Sequence, residues 1–167
     1  MKVVDRYQLE EIVGAGTYGK VYRSTTLDTK ESYAVKCIPV EKFRKVTKLN
    51  EFTKNEIEVL ESINHPNIVK YIEKLATVNN TYMVYEFCNG GTLETKIYSK
   101  KFLNEKVSLT YFYQILSAMC SLSKKNILHR DMKPSNIMLH DNQIKIGDFG
   151  FCKPMEDYVG RKICSLL

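Results

Sequence analysis

A carboxylate, an amine and an amide lie close together at Asp131, Lys133 and Asn136, within the run His129-Arg130-Asp131-Met132-Lys133-Pro134-Ser135-Asn136. A second carboxylate follows in Asp148-Phe149-Gly150. The set supplies a base, a nearby cation and two separate metal ligands in a fixed order. Phosphoryl transfer needs such a set: a residue to orient the hydroxyl nucleophile, and oxygen ligands to hold Mg²⁺ on the phosphates.

These side chains need elements to position them. Residues 7–13, 20–25 and 32–38 read as strands, the last closed by Pro39. Residues 48–63 read as a helix, because Phe52, Glu56, Val59, Leu60 and Ile63 recur at three- and four-residue steps. Pro66 ends it by disfavouring helical geometry at the residue before it. Residues 68–75 and 82–87 read as two further strands. Beyond Asn89-Gly90-Gly91 the pattern changes to a short helix at 92–98 and a long one at 104–125. The long helix carries Val107, Tyr111, Ile115, Met119 and Leu122 on one stripe, and Asn104 suits its N-cap. Two short strands, 137–139 and 144–146, are joined by an Asp141-Asn142 turn.

Composition narrows the class. Hydrophobic residues make up 44% of the 167, enough for a core, and no apolar run approaches the ~20 residues of a membrane helix. The N-terminal residues lack the apolar core of a signal peptide, so a cytoplasmic or nuclear setting is expected. Cys37, Cys88, Cys120, Cys152 and Cys164 are scattered, without metal spacing, and read as free thiols. The net charge of +6 is modest, and no arginine–aromatic cluster points to nucleic acid.

Gly14-Ala15-Gly16-Thr17-Tyr18-Gly19 is a glycine-rich loop, followed by the β-like Lys20-Val21-Tyr22-Arg23. A dinucleotide-binding fold would place a helix there, so the loop joins two strands instead. Ala34-Val35-Lys36 lies on the next strand. With the run at 129–136 and Asp148-Phe149-Gly150, these motifs resemble the protein kinase family over essentially the whole chain. Lys133-Pro134-Ser135 is closer to serine/threonine than to tyrosine kinases. Phe87-Cys88-Asn89-Gly90-Gly91 with Asp148-Phe149-Gly150-Phe151 is similar to Unc-51-like kinases, with calcium/calmodulin-dependent and NimA-related kinases as close competitors.

The resemblance implies an α+β, bilobal kinase fold. Residues 1–87 form a β-rich N-lobe with one helix, 88–91 a hinge, and 92–167 the start of a helical C-lobe that stops within the activation segment. It implies ATP and Mg²⁺ as cofactors and a protein serine or threonine as acceptor. Asp131 would orient the acceptor hydroxyl and take its proton, Lys133 would neutralise charge on the γ-phosphoryl, and Asn136 and Asp148 would ligate Mg²⁺. Lys36 would contact the α- and β-phosphates and pair with a helical glutamate. Glu56 and Glu58 compete for that pairing, and the apolar stripe favours Glu56. Val13, Gly14, Gly16 and Gly19 would cover the nucleotide. Val21, Ala34 and Met138 would sandwich its base, with Tyr85 as gatekeeper and the Glu86 and Cys88 backbones on the adenine edge. His129 and Phe149 would stack with Leu60 and Tyr71.

Two further expectations concern the end of the sequence. The helices that follow in the family would cover the underside of the long helix, so a large apolar surface is expected on the helical half. A regulatory partner covering it, and a non-catalytic nucleotide-binding module, form the alternative to a truncated active kinase. Arg130 would pair with an activation-loop phosphate, with Ser165 favoured over Tyr158.

Overall fold

The structure is a computed structural model that describes residues 2–16 and 18–155. Thr17, Tyr158, Cys164 and Ser165 lie outside the described residues. The chain forms two compact units: Met1–Glu51 with Val69–Asn89, and Phe52–Ile68 with the chain from Gly90 onward.

The first unit is an antiparallel sheet of six strands: β1 (Lys2–Val4), β2 (Tyr7–Ala15), β3 (Lys20–Thr26), β4 (Ser32–Pro39), β5 (Tyr71–Ala76) and β6 (Asn80–Glu86). Their order is β1-β2-β3-β4-β6-β5. In β6 the five residues from Thr81 to Tyr85 are all buried, which is why its sequence is apolar without alternation. Val4, Tyr7, Leu9, Val35, Tyr82 and Val84 form the core of this unit. The sheet curls enough for β2 and β5, which are not neighbours, to meet: the Tyr7 hydroxyl donates to Glu73 Oε1 at 2.7 Å. Arg6 Nη2 reaches the same oxygen at 2.6 Å.

Three features of this unit depart from the sequence pattern. β1 is a three-residue edge strand with no counterpart in the expected elements. Helix α1 (Val40–Lys45) follows Pro39 directly and buries none of its residues, so it leaves no apolar periodicity to read. The strand expected over 68–75 begins only at Tyr71. Ile68 is buried, but it belongs to the second unit, where it bridges Ile146.

Helix α2 (Leu49–Ser62) belongs to the second unit from Phe52 onward, and there it buries Thr53, Glu56 and Leu60 at three- and four-residue steps. Helix α3 (Leu93–Lys100) starts at a Thr92/Thr95 capping box, and α4 (Glu105–Lys124) starts at Asn104, whose Oδ1 accepts from Val107 N at 2.9 Å. Strand β7 (Ile127–Leu128) pairs with β10 (Lys153–Pro154). A 3₁₀ turn (Pro134–Asn136) leads into the β8–β9 hairpin, Ile137–His140 with Gln143–Ile146. Asp141 and Asn142 both take positive φ, 47° and 62°, as a two-residue type I′ turn requires.

Helix α4 carries two apolar stripes. Tyr111, Ala118 and Leu122 form the inner one and are buried, with Val107, Ile115 and Met119 half-buried beside them. Gln114 on the same side accepts the Ile144 N–H at 2.9 Å. Leu109, Phe112, Tyr113 and Leu116 recur at helical spacing on the outer side, and Phe112 and Tyr113 remain 59% and 74% exposed. Tyr98 and Phe102 are exposed as well, at 81% and 78%.

Candidate active site

The loop after β7 is held by His129. Its ring is buried and meets Phe149 edge-on at 4.8 Å. Nδ1 accepts the Asp131 N–H at 3.3 Å, so Nε2 carries the ring proton and donates to Gly147 O at 3.0 Å. Burial pulls the imidazole below its ordinary pKa, so His129 is neutral near pH 7 and serves to pack and brace the loop. Arg130 adopts a left-handed φ of 65° and donates from Nε to Phe151 O at 2.6 Å.

Three of the sequence-designated residues converge. Lys133 Nζ lies 2.8 Å from Asp131 Oδ2, and Asn136 Nδ2 donates to that same oxygen at 2.9 Å. Asn136 Nδ2 also donates to Asp131 O at 2.8 Å. Both partners only accept, so the amide nitrogen faces them and the Asn136 carbonyl oxygen is turned to the other side. The Lys133 hydrogen bond, opposed by desolvation and helped by Asn136, holds the Asp131 carboxyl below the usual carboxylate range. Asp131 in turn raises Lys133, with Asp148 and Glu94 adding to the effect. Asp131 is therefore ionised at neutral pH and able to accept a proton.

Asp148 is exposed at a left-handed φ of 58°, next to the fully buried Phe149. Glu56 is buried on α2, and its Oε2 would lie 3.8 Å from a Cβ built on Gly150. Glu58 points into solvent and pairs with Lys54 at 3.5 Å. Among the described residues no three His, Cys, Asp or Glu side chains converge as a metal cage. Mg²⁺ does not need such a cage, since it takes one or two protein oxygens and leaves its other positions to phosphates and water. Asn136 and Asp148 provide hard oxygens of this kind.

The first unit carries the remaining positions. Val21 pairs with Lys36, and Ala34 with Tyr85, across adjacent strands. A Cβ on Gly19 would lie 2.1 Å from Cys37 O, so only glycine fits there. A Cβ on Gly16 would meet nothing within 4 Å, and Gly14 has only ordinary contact with Val21. Open space beside a glycine backbone suits an approaching phosphate. Val13 is exposed at the end of β2. Glu86 exchanges two hydrogen bonds with Lys70, backbone N–H to O at 3.0 Å and carboxylate from N–H at 2.7 Å. Cys88 is half-buried, and Tyr85 meets Tyr71 edge-on at 5.9 Å. Lys36 and Glu56 belong to different units, and Met138 belongs to a different unit from Val21 and Ala34.

Two residues escaped the sequence reading. Phe151 takes the Arg130 bond on its carbonyl and meets Phe52 with its ring, centroids 5.0 Å apart. An aromatic directly after Asp-Phe-Gly, and another one turn before Glu56, were the available signals.

Asp131, hydrogen-bonded by Lys133 and Asn136, and the exposed Asp148 thus flank the buried His129–Phe149 stack. Residues 7–164 match the protein kinase domain, and the chain belongs to that family. It is 40% identical over 149 residues to CBL-interacting serine/threonine-protein kinase 2 of Arabidopsis thaliana, covering 89% of this chain and 32% of that protein. It is 37% identical over 159 residues to serine/threonine-protein kinase ULK3 of Homo sapiens, covering 93% and 33%. CBL-interacting protein kinase 28 of Oryza sativa subsp. japonica is 39% identical over 149 residues, covering 89% and 34%. The chain thus spans about a third of the length of the curated relatives it matches. Among the described residues no helix is long and apolar enough to cross a membrane.

Proposed function

We propose that this chain carries the catalytic machinery of a serine/threonine protein kinase, which moves the γ-phosphoryl of Mg-ATP to a protein hydroxyl. The observation that carries this reading is the Lys133–Asp131–Asn136 hydrogen-bonded set. Asp131 is ionised, so it accepts the proton of an approaching serine or threonine hydroxyl and aims its oxygen. Lys133, held beside Asp131, places a positive charge where the transferring phosphoryl becomes more anionic. Asn136 and Asp148 would hold Mg²⁺ by their side-chain oxygens, and the ion would supply positive charge against the phosphates. Glu56 on α2 is the partner we assign to Lys36. To the nucleotide we assign Val13, Gly14, Gly16, Gly19, Val21, Ala34, Lys36, Glu86, Cys88 and Met138, with 1–87 as the N-lobe, 88–91 as the hinge and 92–167 as the start of the C-lobe. We assign a cytoplasmic or nuclear setting from the scattered spacing of the cysteines.

The test uses the purified 167-residue chain, labelled Mg-ATP and a mixture of serine and threonine peptides. Turnover that falls by about 10²-fold or more in Asp131→Asn supports the proposal. Turnover indifferent to that change, or none in the wild-type chain, refutes it.

A second reading rests on the outer stripe of α4. Leu109, Phe112, Tyr113 and Leu116 form an exposed apolar face, the kind of surface that partners cover. A nucleotide-binding module regulated through that face would bind Mg-ATP without transferring its phosphoryl.

A further inference from the structure

Phe151 stands at a junction. Its carbonyl accepts the Arg130 Nε–H at 2.6 Å, one residue before Asp131. On either side the backbone is tied down as well: Cys152 N donates to Phe149 O at 3.1 Å, and Cys152 Sγ to His129 O at 3.7 Å. The Phe151 ring is thereby held from the catalytic-loop side, and it projects onto α2, where it meets Phe52 at 5.0 Å with the planes inclined by 49°. Phe52 lies four residues before Glu56, so both occupy one face of the helix. The same face closes on the Asp-Phe-Gly turn. A Cβ on Gly150 would come 3.9 Å from Phe52 Cβ, 3.8 Å from Glu56 Oε2 and 3.7 Å from Asp148 Oδ1.

We propose that Phe52 and Phe151 are a pair of positioning residues, coupling the helix that carries Glu56 to the loop that carries Asp131 and to Asp148. Neither ring touches the reacting atoms. Each acts by fixing a carboxylate: Phe52 sets the height of α2 over Gly150, and Phe151 relays that position to Arg130 through its own carbonyl. Both rings are only half-buried, so their contribution to the core is smaller than that of Phe149, which is fully enclosed. The inference rests on the kinase reading for its catalytic consequence, but the coupling itself is a property of the fold.

The experiment is a double-mutant cycle on the full chain with Phe52→Ala, Phe151→Ala and both together. It is read by turnover and, separately, by amide hydrogen exchange over residues 53–60. An aromatic pair of this geometry predicts a loss of ~2- to ~10-fold in kcat for each single variant, with KM for ATP little changed. Because the pair acts as a unit, the double variant should fall no lower than the worse single. Phe151→Ala should also speed exchange in α2, about a hundred positions away in sequence, and Phe151→Tyr, which keeps the ring, should restore protection. Losses that multiply in the double variant would overturn the proposal, as would α2 exchange unchanged in Phe151→Ala. If the wild-type chain shows no turnover, the kinase reading fails, yet the exchange data still decide the coupling. If Phe151→Ala does not fold, Phe52→Leu takes its place: faster exchange at Phe151–Cys152 supports the pair, and unchanged exchange overturns it.

Discussion

Replacing His129 with phenylalanine isolates what the imidazole does beyond filling space. The phenyl ring is somewhat larger than the imidazole but is still a planar aromatic ring that can keep the edge-on contact with Phe149. The change removes two hydrogen bonds, one from Asp131 N and one to Gly147 O. A buried backbone group left without its partner costs ~1–3 kcal/mol, so two would cost ~2–6 kcal/mol. Asp131 is only half-buried, so water can reach its N–H and the lower part of that range, ~2–4 kcal/mol, is expected. A pH effect accompanies the loss. The folded-state pKa of His129 is depressed by burial, while an unfolded histidine titrates near ~6.5. Above that value both states are neutral and the group contributes no pH dependence. Below it the unfolded chain takes a proton that the native protein refuses, so stability falls with falling pH, by at most ~1.4 kcal/mol per pH unit. His65 is depressed by burial too, but it is present in both proteins and cancels. Asp131 acts only below the ordinary carboxylate range. The chain has no tryptophan, so urea melts followed by far-ultraviolet circular dichroism at pH 7.5 and 5.5 are the suitable assay. His129→Phe should be less stable at pH 7.5 and should lose less stability than the wild type between the two pH values. Equal pH slopes, or a variant as stable as the wild type at pH 7.5, would refute the bracing role.

Two other substitutions test the scaffold. Asn104→Ala removes the acceptor of the Val107 N–H and should cost ~1 kcal/mol in the same melts, with Asn104→Gly costing less. Tyr7→Phe frees Glu73 from one of its two donors and should cost ~1 kcal/mol near neutral pH. Burial, with Glu73 adding to it, pushes the Tyr7 phenol up to about 12. The hydroxyl therefore contributes stability that is fully present below pH ~10 and lost as pH rises toward that value, so the gap between wild type and Tyr7→Phe should close only in strong alkali.

How far the sequence disclosed this molecule depended on how each residue signals its place. Glu56 could be separated from Glu58 because burial on a helix follows a three- and four-residue rhythm, and the structure buries the one and exposes the other. The boundaries of α4 were legible for a related reason: Asn104 caps it and its inner residues repeat. The outer stripe of the same helix was harder to read. Its residues are as apolar as the inner ones, and periodicity alone does not say which of two stripes meets β9. Helix α1 and strand β1 were illegible because neither has the pattern that burial imposes on a longer element. The strand at 68–75 was overextended because Ile68 is apolar for a loop contact with Ile146. The Tyr7–Glu73 clasp joins residues 66 apart, and only the curl of the sheet brings them together.

The site also shows how a loop can be rigid where its chemistry is exposed. Asp131, Lys133 and Asp148 reach solvent, as the roles proposed for them on a phosphate and a hydroxyl require. The residues next to them are buried: His129 on one side, Asn136 within the loop, Phe149 after Asp148. Arg130 and Asp148 both hold left-handed backbone at φ of 65° and 58°, a conformation that costs a non-glycine residue ~1–3 kcal/mol. That cost is offset nearby. Arg130 is followed by the bond from Asp131 N to His129 and makes its own bond to Phe151, and Asp148 lies between Gly147, whose carbonyl accepts the hydrogen bond from His129 Nε2, and Phe149, whose ring packs on His129. The two left-handed residues turn the chain so that the carboxylates of Asp131 and Asp148 leave the packed layer while their neighbours stay in it. His129 touches both turns, which makes it the residue whose loss should separate the positions of the two carboxylates even though it takes no part in proton transfer.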